Sequence, residues 1–84
     1  MKYYKFWIEP IRIRSLKNAL AIVRMLRANV NIKNDARFAI LLDEHNQYDV
    51  RIKTRHKDTA DWIQAELNSH QDQYNFYGMD EVKD

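Results

Sequence analysis

Two short segments of this chain place aromatic or cationic side chains at every second position: Tyr3, Lys5 and Trp7 in one, Arg51, Lys53 and Arg55 in the other. Rings stack on nucleobases and cations follow phosphates, which is the chemistry that binding of single-stranded nucleic acid requires. Stacking supplies about 1–3 kcal/mol per base, so two rings and several cations suffice for useful affinity. Arg12, Arg14, His56 and Lys57 extend the same basic character at the strand ends. A second set of candidates is aromatic and lies beside acidic residues: Trp62, Tyr74, Phe76 and Tyr77, the residue types that anchor protein interfaces.

Catalytic chemistry finds few residues. His45, His56 and His70 lack the i, i+4 spacing of a helical metal site, and Asp43, Glu44 and His45 are neighbours of the kind common in polar turns. Glu9, at the end of the first predicted strand, offers a single carboxylate to nuclease chemistry, but no second acid or base is paired with it. The only glycine is Gly78, so there is no phosphate loop. With no cysteine there is neither a disulfide, a thiol nucleophile nor a cysteine-ligated zinc. The expectation is a binding protein and not an enzyme, with no catalytic residue, no metal and no cofactor.

The elements that position these residues follow from periodicity. Tyr4, Phe6 and Ile8 alternate with Tyr3, Lys5 and Trp7, which predicts a strand from Tyr3 to Ile8. Alternation resumes out of step at Ile11 and Ile13, which predicts a bend at Pro10. Ser15 is the expected cap of a helix over Leu16 to Asn29, whose apolar stripe is Leu16, Ala19, Leu20, Val23 and Leu26. Asn29, Asn31, Asn34 and Asp35 read as a loop. Phe38, Ile40 and Leu42 define a second strand, and Asp43 to Gln47 a turn. A third strand carries Tyr48, Val50, Ile52 and Thr54 on one face and Asp49, Arg51, Lys53 and Arg55 on the other. A second helix is expected from Asp58 or Thr59, with Ala60, Ile63 and Leu67 inward and Trp62 on a flank. Gln73 to Gly78 is read as a short final strand, with residues 79–84 an acidic C-terminal tail.

Eighty-four residues, 45% of them apolar, fit one α+β domain over residues 1–78, with a radius of gyration of about 12 Å and no deep cleft. The net charge of +2 conceals a division. Residues 1–57 hold 13 Lys and Arg against 5 Asp and Glu, a net of +8, whereas residues 58–84 hold 1 against 7, a net of −6. That asymmetry means either two faces of opposite potential or an acidic end that screens a basic surface. No apolar run is long enough for a signal peptide or a membrane span, so a cytoplasmic location away from membranes is expected.

The order strand, helix, strand, strand, helix and a final strand, over about residues 2–78, resembles the ferredoxin-like, split β-α-β family, which includes RNA-recognition-motif domains. The first strand, Tyr3-Tyr-Lys-Phe-Trp-Ile8, is loosely similar to that motif's first-strand signature. The resemblance implies a two-layer domain with an antiparallel sheet, two helices on one face, and the first and third strands as central neighbours. Tyr3, Lys5 and Trp7 would then lie beside Arg51, Lys53 and Arg55 on the open face.

Two functions follow as expectations. One is a module that binds RNA or another single-stranded polyanion through Tyr3, Lys5, Trp7, Arg12, Arg14, Arg51, Lys53, Arg55 and Lys57. The other is an inhibitor or adaptor that docks on a host defence or toxin protein through Trp62, Tyr74, Phe76 and Tyr77; in size and charge the chain looks like small phage-encoded inhibitors. A solvated strand face, or one covered by a helix, a tail or a second copy, accounts for the same residues. Self-association through the rim of the sheet is a further expectation.

Overall fold

Four strands form in the computed structural model, which describes residues 2–8, 13–70 and 76–83. In chain order the elements are β1 (Lys2–Ile8), α1 (Leu16–Arg27), α2 (Val30–Lys33), β2 (Ala36–Leu42), β3 (Tyr48–Thr54), α3 (Lys57–Asn68) and β4 (Phe76–Lys83). The strands form one antiparallel sheet in the order β2-β3-β1-β4. The first and third strands are therefore its central pair. The Cα radius of gyration, 12.1 Å, agrees with the value expected from length.

One face of the sheet is covered. Phe6 and Ile8 of β1 and Val50 and Ile52 of β3 are fully buried in a single cluster with Ile22, Val23 and Leu26 of α1, Ile32 of α2, and Ile63 and Leu67 of α3. The other alternate residues of the same strands remain at least partly exposed. Thr54 is the polar member of the covered row: its hydroxyl donates to the Asp35 carbonyl at 2.9 Å and accepts from the His56 N–H at 3.2 Å. That pairing is what makes its burial tolerable.

Local signals account for several boundaries. Ser15 is the N-cap of α1, its side chain accepting from the Asn18 N–H at 3.2 Å. The turn between β2 and β3 is closed by Asp43, whose carboxylate accepts from the N–H groups of His45 and Gln47. Asn46 takes the left-handed backbone, with φ 60°, that asparagine tolerates. Of the two acids in the Asp43-Glu44-His45 trio, Asp43 is thus engaged in building the turn.

Four expectations are corrected. The loop read over Asn29 to Asp35 contains α2, because the Asn29 side chain accepts from the Asn31 N–H and Ile32 is drawn into the core. The first helix ends at Arg27, and Leu16 lies at its start with 47% of its surface exposed, off the buried stripe. The second predicted helix begins ahead of both expected starts, at Lys57, with His56 as a cap that makes no side-chain bond. The last strand is Phe76–Lys83, so most of the segment read as an acidic tail is sheet. There Lys5 faces Asp80 and Tyr3 faces Val82, because β1 would otherwise leave one row of backbone groups unpaired. The bend expected at Pro10 lies outside the described residues.

Candidate nucleic-acid interface

The open face is built row by row from strand register. Trp7 lies opposite Arg51, and Lys5 opposite Lys53. On the far side of β3, Arg51 lies opposite Ala39 and Lys53 opposite Arg37; on the far side of β1, Trp7 lies opposite Gly78. Directly opposed residues of an antiparallel pair share a face. One row therefore reads Ala39, Arg51, Trp7, Gly78, and the next Arg37, Lys53, Lys5, Asp80. The aromatic and basic residues singled out in two distant segments are adjacent here, and the helices lie behind the sheet.

Rings and cations on this face touch one another. The Lys5 ammonium is 4.1 Å from the centre of the Trp7 ring, and the Arg51 guanidinium 4.9 Å from it. Lys53 stands 5.6 Å from the Tyr3 ring. Arg51 is oriented by Asp49, whose Oδ2 accepts from its Nε at 3.0 Å. The Asp49 side chain is only 13% exposed, and its Oδ1 accepts no hydrogen bond from the described residues.

Gly78 matters to the ring as well as to the strand. The register passes from Trp7·Gly78 to Ile8·Phe76, a bulge in β4, and Gly78 has φ 118°. A Cβ placed on it would meet no atom within 4 Å, so the backbone angle and not crowding calls for glycine. The residue that pairs with Trp7 on β4 therefore brings no side chain of its own.

Past the end of β3 the basic character continues. Tyr3, Arg37, Lys53, Arg55 and His56 line an open depression of about 620 Å³. Arg55 itself follows the last residue of the strand. Four cations of the two strand rows, Lys5, Arg37, Arg51 and Lys53, meet two anions, Asp49 and Asp80, which leaves a net of +2 on the face. The acidic end thus screens the basic surface in part, through Asp80.

The structure does not gather every residue expected on the interface. Arg14 lies at the opposite end of β3 from Arg55, since the neighbouring Ile13 carbonyl accepts from the Tyr48 N–H at 3.1 Å. Lys57 belongs to the helical side: its Nζ bonds Asp61 at 2.6 Å and stands 6.0 Å from the Tyr4 ring, which packs against the core. The hydrogen bond to Asp61 holds the Lys57 ammonium above its ordinary pKa of 10.5. These two cations were expected to widen one patch; a strand of seven residues, about 23 Å, separates the ends they occupy. Arg12, Glu9 and Tyr74 lie outside the described residues, as do the side chains of Phe76 and Tyr77. Arg37 went unnoticed in the sequence because β2 reads as an apolar strand, and only its pairing with Lys53 places it on the face.

Of the second set of candidates, Trp62 is placed on the surface of α3, 49% exposed, beside Asp58 and Asp61. Among the described residues no three histidines or acids are grouped to hold a metal ion, and no helix is long and apolar enough to cross a membrane. Compared with protein-family models, curated proteins and solved structures, the chain matches none.

Proposed function

We propose that this protein is a non-enzymatic cytoplasmic module of ferredoxin-like arrangement whose open sheet face binds RNA or another single-stranded polyanion. The observation that carries the reading is the pairing of Trp7 with Arg51 and of Lys5 with Lys53 in adjacent rows of one uncovered face. A base stacks on Trp7 while the cations around it take the flanking phosphates. Exposed cation–π contacts are worth about 0.5–1 kcal/mol, less than the roughly 1–3 kcal/mol of a stacked base. Displacement of Lys5 from the ring by a base is therefore downhill. The strand order β2-β3-β1-β4, with helices on the other face, supports the ferredoxin-like arrangement.

Fluorescence anisotropy with a short unstructured oligoribonucleotide tests this directly. Binding at low salt should weaken steeply as salt rises, because each neutralised phosphate releases counterion. It should be lost when Trp7→Ala and Lys53→Ala are combined. Absence of binding at low salt, or affinity that survives both substitutions, refutes the reading.

A second reading, docking on a host protein, is supported by half-exposed Trp62 beside Asp58 and Asp61, a combination suited to a basic partner surface. A stoichiometric complex recovered from extract that resists ribonuclease and is lost with Trp62→Ala favours it. A complex that dissolves on ribonuclease treatment favours RNA.

A further inference from the structure

The two edges of the sheet are built differently. At β4 the bulge at Gly78 breaks the register, and Asp80 and Glu81 place charge along the strand, both devices that discourage pairing with another chain. The β2 edge has no bulge and only a single charge. Its register with β3 runs unbroken from Ala36 to Leu42, its sequence Ala-Arg-Phe-Ala-Ile-Leu-Leu holds one charge and no proline or glycine, and Leu41 and Leu42 are 43% and 57% exposed.

Backbone parity shows what this edge offers. The Asp43 N–H donates to the Gln47 carbonyl at 2.9 Å, which makes that pair a bonded one. Because bonded and non-bonded pairs alternate along an antiparallel ladder, Arg37, Ala39 and Leu41 turn their backbone groups toward β3. Ala36, Phe38, Ile40 and Leu42 turn theirs outward. No other strand of the described chain lies beyond them.

We infer that β2 pairs antiparallel with β2 of a second copy, about a two-fold axis through Ala39, joining two sheets into one. This register sets Ala36 opposite the copy's Leu42 and Phe38 opposite the copy's Ile40, so every outward residue finds a bonded partner. A shift by two residues in either direction leaves one of them unpaired on each chain. The charges agree with the same register. Arg37 falls opposite the copy's Leu41 and not opposite the copy's Arg37, and its diagonal neighbour is the copy's Asp43, within reach of a long side chain. Ala39 meets its own copy with no bulk between them. The dimer does not depend on what the open face binds, but it makes the rows of Arg51 and Trp7 continuous across the axis.

Sedimentation of ribonuclease-treated protein at about 100 μM should give a dimer, since a micromolar association is nearly complete there. A chain without cysteine also allows a cross-linking test of register. Residues facing each other in a non-bonded pair lie about 4.5 Å apart at Cα, inside the range a disulfide spans. Ala39→Cys should therefore form a covalent dimer on mild oxidation. Arg37→Cys should not, because the two positions lie about 14 Å apart along the paired strands. Leu41→Lys, which sets a like charge opposite the copy's Arg37, should weaken the dimer about tenfold without lowering the unfolding midpoint of the monomer. A monomer at that concentration, or cross-linking of Arg37→Cys as readily as Ala39→Cys, overturns the inference.

Discussion

The two faces of β1 and β3 differ by a single step along the chain. Phe6, Ile8, Val50 and Ile52 are fully buried against the helices, while Lys5, Trp7, Arg51 and Lys53 form the open rows. The covered face holds the fold together through apolar burial, at about 25 cal/mol per Å² removed from water. The open face contributes cation–π contacts and one Arg51–Asp49 bond, each worth little in solvent. Stability and recognition thus reside in neighbouring residues and should respond separately to substitution.

The largest effect is expected from the covered face. Ile52→Ala removes a fully buried side chain from a central strand and should lower unfolding free energy by about 2–5 kcal/mol in urea titration, with the affinity of the folded fraction for an oligoribonucleotide unchanged. A parallel loss of affinity in that fraction would merge the two faces and undo the distinction. Next in size is Trp7→Ala, the converse change. It should cost about 1–3 kcal/mol of RNA binding by anisotropy, and a smaller loss of stability than Ile52→Ala. The comparison breaks if stability falls more than binding.

Smaller still is Asp80→Asn, which removes the anion opposite Lys5 and should tighten RNA binding by about 0.2–1 kcal/mol at low salt, the gain fading as salt screens it. Weaker binding in that variant would mean that Asp80 holds Lys5 in place and does not screen it. The smallest effect concerns the helical side. The folded-state pKa of Lys57 is raised by its bond to Asp61, so the contribution of that pair is present below 10.5 and is lost as pH rises through the higher folded value. Thermal unfolding should show a slight alkaline decline that Asp61→Asn abolishes; RNA affinity near neutral pH should not follow it. An Asp61→Asn variant with an unchanged alkaline slope would remove Lys57 from the account.

Much of the framework is legible because its causes are local. The cap at Ser15 needs only its own hydroxyl and the Asn18 N–H, and the turn at Asp43 only its own carboxylate and two N–H groups nearby. The alternation of β3, from Tyr48 to Thr54, is carried by residue type alone. What could not be read has distant causes. Four residues of α2 are too few to form a helix by propensity, and they do so because Ile32 is buried among side chains from elsewhere in the chain. The stretch through Met79, Asp80 and Glu81 has the composition of a tail, yet it is held as β4 by the open row of backbone groups on β1.

The candidate site divides in the same way. Which residues alternate to the outer side of each strand was set by period-two geometry within seven residues. Tertiary structure decided that Trp7 meets Arg51, that Arg37 joins Lys53, and that Arg14 and Lys57 end at opposite ends of the sheet. Side-chain parity belongs to a strand by itself, since each peptide unit turns the next residue over. Register and neighbourhood belong to pairs of strands, since they arise from hydrogen bonds and burial between residues distant in the chain, sixteen positions for Arg37 and Lys53 and forty-four for Trp7 and Arg51.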